Sequence, residues 1–171
     1  MTHVSHNTGE QEHYTPTAII ESARFVMGSI GLDPASNDMA QGWIKAETYY
    51  TKETNGLDKA WSGNVWMNPP YARNLLPAFI DKLVASTSRS AGVTQYVVLI
   101  NNTTETEHGQ KLMALSHAIC FPRKRIRFIK PDGTLGKPLQ GQMILYYGPN
   151  MPHFLSEFSK LGVTVTVDTW W

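Results

Sequence analysis

The tetrapeptide Asn68-Pro69-Pro70-Tyr71 holds the residues of this 171-residue chain best suited to chemistry. Two adjacent prolines remove two backbone donors, fix φ and push the preceding asparagine out of helical space. The result is a rigid turn in which the Asn68 side-chain oxygen and the Pro69 carbonyl can face one point as paired acceptors, with the aromatic face of Tyr71 beside them. Such a pair suits a planar group bearing an NH₂. The purely structural alternative is a polyproline-like turn with Tyr71 as a core aromatic.

Two other places carry candidate chemistry. In LDPAS (residues 32–36), Asp33 stands where Pro34 must end a strand, so it serves either as a ligand-facing acid or as a loop cap. Arg123, Lys124, Arg125, Arg127 and Lys130 put five cations within eight residues without an acid among them. These residues fit phosphate contact, which positions DNA without reading its sequence, or the solvated edge of a hairpin. If they touch phosphates, their loss weakens binding broadly and flattens its salt dependence.

These residues need elements to hold them. Thr15 and Pro16 suit the cap and first position of a helix, and Ile19, Ala23, Val26, Met27 and Ile30 form its apolar stripe, closed by Gly31. Leu32 and Asp33 end a short strand, residues 48–51 are β-prone, and residues 64–67 form a buried strand that stops at Pro69 and Pro70. A helix over residues 75–86 begins at Asn74 as its cap. The apolar run 95–100 is the central strand, since strands buried on both faces lose alternation. Residues 106–116 form a helix, 118–121 and 143–147 strands, 152–161 a helix and 163–167 a strand. Asn101, Asn102 and Thr103 either line the approach to the site or lead into the next helix. Strands alternating with helices imply one three-layer α/β domain with a mainly parallel sheet, whose ligands bind beyond the carboxyl ends of the strands.

Composition bounds the function. With 42% hydrophobic and 17% charged residues the chain is globular, and its length fits one domain. A net charge of +1 excludes a uniformly basic binder, leaving partner choice to local clusters. Cys120 is the single cysteine, so no internal disulfide forms, and its apolar flanks predict an inert core thiol. His3, His6 and His13 lie at no helical ligand spacing in a polar arm, residues 1–13, and no metal site is expected. A wholly apolar run such as residues 96–100 is far below the roughly 18 needed to span a bilayer, and a cytoplasmic location is expected.

The chain also resembles a known family, through YTP (14–16), LDPAS, YYTKETNGL (49–57), Trp61, VWMNPPY (65–71), LINNTTET (99–106), CFPRKRIRF (120–128), PDG (131–133) and GQMILYYGPN (141–150). In order and spacing these are similar to the DNA N6-adenine methyltransferases, in particular the short Dam-like enzymes of phages and prophages. The resemblance covers residues 14–167, nearly the whole chain. It implies a single-domain Rossmann-like methyltransferase fold over residues 14–171, with S-adenosylmethionine as methyl donor and double-stranded DNA as partner. It implies that Tyr14, Thr15, Pro16, Asp33, Pro34, Ala35 and Asn68 surround the donor, Asp33 accepting a hydrogen bond from its ammonium group. It further implies that Asn68, Pro69, Pro70 and Tyr71 receive an adenine flipped out of the duplex.

The chain departs from the wider pattern in two places. Ala35, Ser36 and Asn37 stand where many relatives carry closely spaced glycines, and His108 and Gly109 where a bulkier pair is usual. Asp58 fits either an acid reading the donor's adenine or a turn cap. With no residues left for a large target-recognition domain, a short or relaxed recognition sequence is expected, in an enzyme that protects phage or prophage DNA. The alternatives are a methyltransferase acting on another planar NH₂ group, a protein glutamine or an RNA base, and a non-catalytic nucleic-acid-binding module.

Overall fold

The structure, a computed structural model, describes residues 13–90 and 92–168; most of the expected arm, and Trp170 and Trp171, lie outside the described residues. The order of elements is α1 (Thr17–Met27), β1 (Leu32–Asp33), α2 (Gln41–Ile44), β2 (Thr48–Tyr49), a 3₁₀ turn (Gly56–Asp58), β3 (Gly63–Met67), α3 (Leu75–Thr87), β4 (Val93–Asn101), α4 (Glu107–Leu115), β5 (Ala118–Pro122), β6 (Gln142–Tyr147), α5 (Met151–Phe158) and β7 (Gly162–Thr166). The expected strands and helices are present, with ends shifted by a few residues. The four-residue α2 and the 3₁₀ turn are additions, too short to leave a periodic signal.

The seven strands form one sheet in the order β2-β1-β3-β4-β6-β5-β7. From β2 to β4 all pairings are parallel, whereas β6 lies antiparallel between β4 and β5, and β7 lies antiparallel to β5. Five strands therefore share one direction, and the sheet is mixed: parallel through its core, as expected, and antiparallel at each pairing of its far half. The cause is the long connection after β5. It carries the chain back so that β6 enters between two strands that would otherwise be neighbours.

Helices cover both faces. Along β4, Val97 and Leu99 face the layer of α1, α2 and α5, while Tyr96, Val98 and Ile100 face that of α3 and α4, all fully enclosed. Each fully buried aliphatic side chain of this kind stabilises the fold by about 1.5–3 kcal/mol. This two-sided burial is why residues 96–100 read as a continuous apolar run.

Helix α1 ends three residues earlier than expected, at Gly28, whose φ of 82° suits glycine. Its last carbonyls are taken from outside the helix. Gln95 Nε2 and Asn64 Nδ2 donate to the Met27 carbonyl at 2.9 and 3.1 Å, and Asn150 Nδ2 donates to that of Val26 at 2.8 Å. At the start of the helix Pro16 is the cap residue, which leaves the Thr15 side chain free for another use. Asn74 makes no capping side-chain bond to α3, whose first turn instead hangs on the Ala72 carbonyl, but Thr106 does cap α4, accepting from Gly109 N–H at 3.1 Å.

One close approach links the 3₁₀ turn to the LDPAS loop. A Cβ added at Gly56 would overlap the Pro34 carbonyl oxygen, and the neighbouring Trp61 indole N–H donates to the Gly56 carbonyl at 2.8 Å. Gly56→Ala is expected to destabilise the domain by about 1–3 kcal/mol, as overpacking against backbone does. Urea unfolding monitored by tryptophan fluorescence checks this.

Candidate active site

β3 lies between β1 and β4, so the turn that follows Met67 opens at the middle of the sheet's parallel half. The chain leaves β1 toward β2 on one side and returns to β3 on the other, which makes the β1/β3 boundary the point where strand order reverses. Crevices at such points are where open α/β sheets bind ligands. LDPAS and NPPY are the loops that border it.

Asn68 is half-buried, Pro69 buried, Pro70 exposed and Tyr71 half-buried. Asn68 reaches across to the segment before α1, where its Nδ2 donates to Thr15 Oγ1 at 3.1 Å. Its Oδ1 accepts a hydrogen bond from the Tyr71 hydroxyl, also at 3.1 Å. The structure thus brings Asn68, Tyr71 and Thr15 into one hydrogen-bonded chain. Burial pushes the Tyr71 hydroxyl well above its ordinary pKa, which keeps it a neutral donor. The backbone of Asn101, at the end of β4, opposes that shift.

On the β1 side Asp33 is only 2% exposed. Gln41 Nε2, from α2, donates to its Oδ2 at 3.0 Å and to Ser36 Oγ at 2.7 Å, and Ala35 N–H reaches Oδ1 at 3.3 Å. Burial pushes this carboxyl up to about 7, against the hydrogen bonds from Ser36, Ala35 and Gln41. No basic side chain among the described residues pairs with it. Pro34 is buried, Ala35 half-buried, and the loop is tied to β2 by Ser36 N–H to the Tyr50 carbonyl at 2.8 Å. Tyr14 is buried edge-on against Trp43, and Thr15 is 3% exposed with its carbonyl accepting from the Trp43 indole at 3.3 Å. Pro16 is half-buried beside them.

Only the end of the basic segment is hairpin-like: Ile129 bridges Leu135 antiparallel, and Lys130 N–H donates to the Thr134 carbonyl at 2.8 Å. The segment lies in an irregular connection from β5 to β6, joined to the site through an isolated two-way bridge between Tyr14 and Ile129, with both N–H···O distances 2.8 Å. Arg123, Lys124, Arg125, Arg127 and Lys130 are exposed. Arg125 and Arg127 donate to the Leu139 and Gly136 carbonyls at 3.2 and 3.1 Å, so part of their hydrogen bonding shapes the loop itself. None of the five forms a carboxylate ion pair among the described residues. The loop returns beside the end of β4, where Asn102 N–H donates to the Gly141 carbonyl at 2.9 Å and Gln142 Nε2 to Asn101 Oδ1 at 3.3 Å.

Residues 2–157 match the family model for DNA N-6-adenine-methyltransferase (Dam). The chain belongs to the Dam family. It is therefore an adenine-specific DNA methyltransferase, and DNA is its substrate. No curated protein matches the chain.

In this Dam-family enzyme the sequence-predicted residues converge unevenly. NPPY and Thr15 are hydrogen-bonded together, the Asp33 loop follows the neighbouring strand, and the basic residues stand on the loop bridged to Tyr14. Asp58 accepts from Asn55 Nδ2 at 2.7 Å within the 3₁₀ turn, which accounts for it as a turn residue. Asn101 and Asn102 hold the returning loop. Cys120 is a core thiol raised to about 11 by burial. Gln41 was not foreseen, because a single glutamine on a four-residue helix has no distinguishing pattern. A cavity of about 390 Å³ bordered by Gly31, Glu47, Thr48, Ser62 and Asn64 lies at the amino ends of β1 to β3, away from this crevice. No described helix is long and apolar enough to cross a membrane.

Asp33 makes a pH signature. Its folded pKa lies above the unfolded value, so between pH 4 and 7 the folded state holds a proton that the unfolded state has lost, and stability falls as pH rises. Asp33→Asn is expected to remove this component, whose slope is up to about 1.4 kcal/mol per pH unit. Unfolding curves for both proteins across that range measure it.

Proposed function

We propose that this enzyme transfers the methyl group of S-adenosylmethionine to N6 of an adenine turned out of duplex DNA, with the donor along the Asp33 loop and the base at NPPY. The observation that carries the proposal is the Asn68 amide, held at the reversal point of the sheet just after β3, with a buried carboxylate that has no cation of its own at the end of the adjacent β1. Asp33 fits the donor's ammonium group, because a cation beside it would offset the burial that now disfavours its charged form. Tyr14, Thr15 and Pro16, with Pro34 and Ala35, complete the wall around the methionine end. The strand order supports the Rossmann-like reading of the fold.

S-adenosylmethionine supplies an already activated methyl group, which leaves alignment and exclusion of water to the protein. The amino nitrogen of adenine is a poor nucleophile, since its lone pair is conjugated with the ring. Asn68 Oδ1 and the Pro69 carbonyl each accept one of its N–H bonds, which draws the nitrogen toward tetrahedral geometry and localises that lone pair toward the methyl carbon. Neither acceptor is basic enough to take a proton beforehand. The proton therefore leaves after transfer, from a nitrogen made strongly acidic by its new bond. Tyr71, whose ring is partly exposed, stacks on the extruded base and offsets part of the stacking lost from the duplex.

Arg123, Lys124, Arg125, Arg127 and Lys130 contact phosphates beside the crevice, which fixes the duplex without reading it. Sequence is read by the loops around NPPY and the basic connection, over a short or relaxed site. The resemblance to phage and prophage enzymes supports a role in protecting such DNA, in the cytoplasm of a bacterial host. Residues 14–171 form the catalytic domain, and residues 1–13 an arm ahead of it.

Purified protein, unmethylated duplex and methyl-labelled S-adenosylmethionine are expected to give labelled N6-methyladenosine after digestion to nucleosides. Asn68→Ala lowers the yield at least roughly a hundredfold, the scale of losing a preorganised group at the reacting centre. Label in another base would overturn the substrate assignment, and transfer undiminished in Asn68→Ala would overturn the site.

A further inference from the structure

An asparagine amide has two chemically opposite ends: its NH₂ only donates and its oxygen only accepts. A substrate amino group approaching in its donor role needs the oxygen, so an inverted Asn68 would set donor against donor. Something must fix which end faces the substrate.

The structure places a hydroxyl at each end of this amide. Thr15 Oγ1 accepts from Nδ2 and the Tyr71 hydroxyl donates to Oδ1, both at 3.1 Å. The two hydroxyls are not equivalent. A phenol oxygen loses lone-pair density to its ring, so it donates better and accepts worse than an aliphatic alcohol. Phenol on the amide oxygen and threonine on the amide nitrogen is thus the favoured assignment, and inversion would ask each hydroxyl to do what it does less well. The carbonyl oxygen has two lone pairs, and Tyr71 uses one, which leaves the other for the substrate.

Thr15 is itself tied down on both sides. It is 3% exposed, its carbonyl holds the Trp43 indole, and Tyr14 before it is bridged to Ile129. Its position just ahead of the helix cap explains why its hydroxyl is available, since Pro16 takes the cap position and no side chain caps α1.

We propose that the Thr15 and Tyr71 hydroxyls form a two-ended clamp that fixes the Asn68 amide with Oδ1 toward the substrate amino group. The inference rests on the reading in which Asn68 receives that group. It gives Thr15, besides its place in the donor wall, whose shape Thr15→Val keeps, a positioning role that acts through Asn68. In Thr15→Val the shape is kept but Nδ2 loses its acceptor, so nothing at that end holds the amide with Oδ1 toward the substrate.

The test compares Thr15→Val, Thr15→Ser and Tyr71→Phe with the unaltered enzyme for kcat, KM for duplex DNA and calorimetric affinity for S-adenosylmethionine. Thr15→Val is expected to lose roughly ten- to a hundredfold in kcat, the scale of one donor deprived of its partner, with both affinities unchanged. Thr15→Ser restores most of the rate, and Tyr71→Phe, which keeps the ring, shows the same kcat-only loss. Unaltered kcat in Thr15→Val, a loss expressed as weaker cofactor binding, or a serine variant as impaired as the valine one would each overturn the clamp. Should Thr15→Val fail to fold, the Tyr71→Phe result decides alone. Should the unaltered enzyme transfer no methyl at all, the reading of the reaction fails separately. The clamp is then judged by NMR from the Asn68 Nδ2 protons, identified by their loss in Asn68→Asp. Slow exchange in the unaltered protein and in Thr15→Ser but fast exchange in Thr15→Val supports the clamp, and equal exchange in all three overturns it.

Discussion

Two adjacent prolines cannot donate to a ladder, and where they stop β3 decides the rest of this site. Because β3 lies beside β1 at the point where strand order reverses, ending it there puts Asn68 at the mouth of the crevice. A strand one residue longer would carry the amide past Thr15; a softer turn would let it swing. The hydrophobic core matters to function mainly through this placement, since the enclosed faces of β4 and β3 fix the sheet on which the turn is mounted.

The second constraint is electrostatic. Asp33 sits in an environment that disfavours its own charge, and the hydrogen bonds from Ser36, Ala35 and Gln41 only partly oppose this. Such a group is poor at stabilising the isolated fold and well suited to a cation that arrives from outside. The basic loop shows the same division between folding and binding on the surface: Arg125 and Arg127 spend hydrogen bonds on their own connection, yet their charges stay in solvent and unpaired with any described carboxylate. The two-way bridge from Ile129 to Tyr14 makes that loop and the wall next to Asn68 mechanically continuous.

The strands were legible wherever burial erased alternation, as in residues 95–100, and wherever proline forced an end, as after Asp33 and Met67. NPPY was legible as the turn that ends β3 from its residue types alone. What stayed hidden depended on contacts distant in sequence. The end of α1 at Gly28 is set by Gln95, Asn64 and Asn150, which come from β4, β3 and the loop before α5. Asn150 belongs to a segment that carried the family resemblance, and its side chain holds a helix end. The insertion of β6 between β4 and β5 is likewise invisible locally, since an antiparallel strand buried on both faces reads the same as a parallel one. Thr15 was legible as a helix start, and only the 53-residue jump to Asn68 reveals its hydroxyl's partner.

The most direct test of the account is a crystal structure with duplex DNA and a non-reactive donor analogue that carries an amine in place of the methyl sulfonium. The account predicts the analogue's ammonium on Asp33, an adenine stacked on Tyr71, and its amino nitrogen within hydrogen-bond reach of Asn68 Oδ1 and the Pro69 carbonyl. That nitrogen should lie about 3–3.5 Å from the donor's reactive position. An analogue seated instead in the cavity at the amino ends of the strands, or an adenine held away from Asn68, would contradict it.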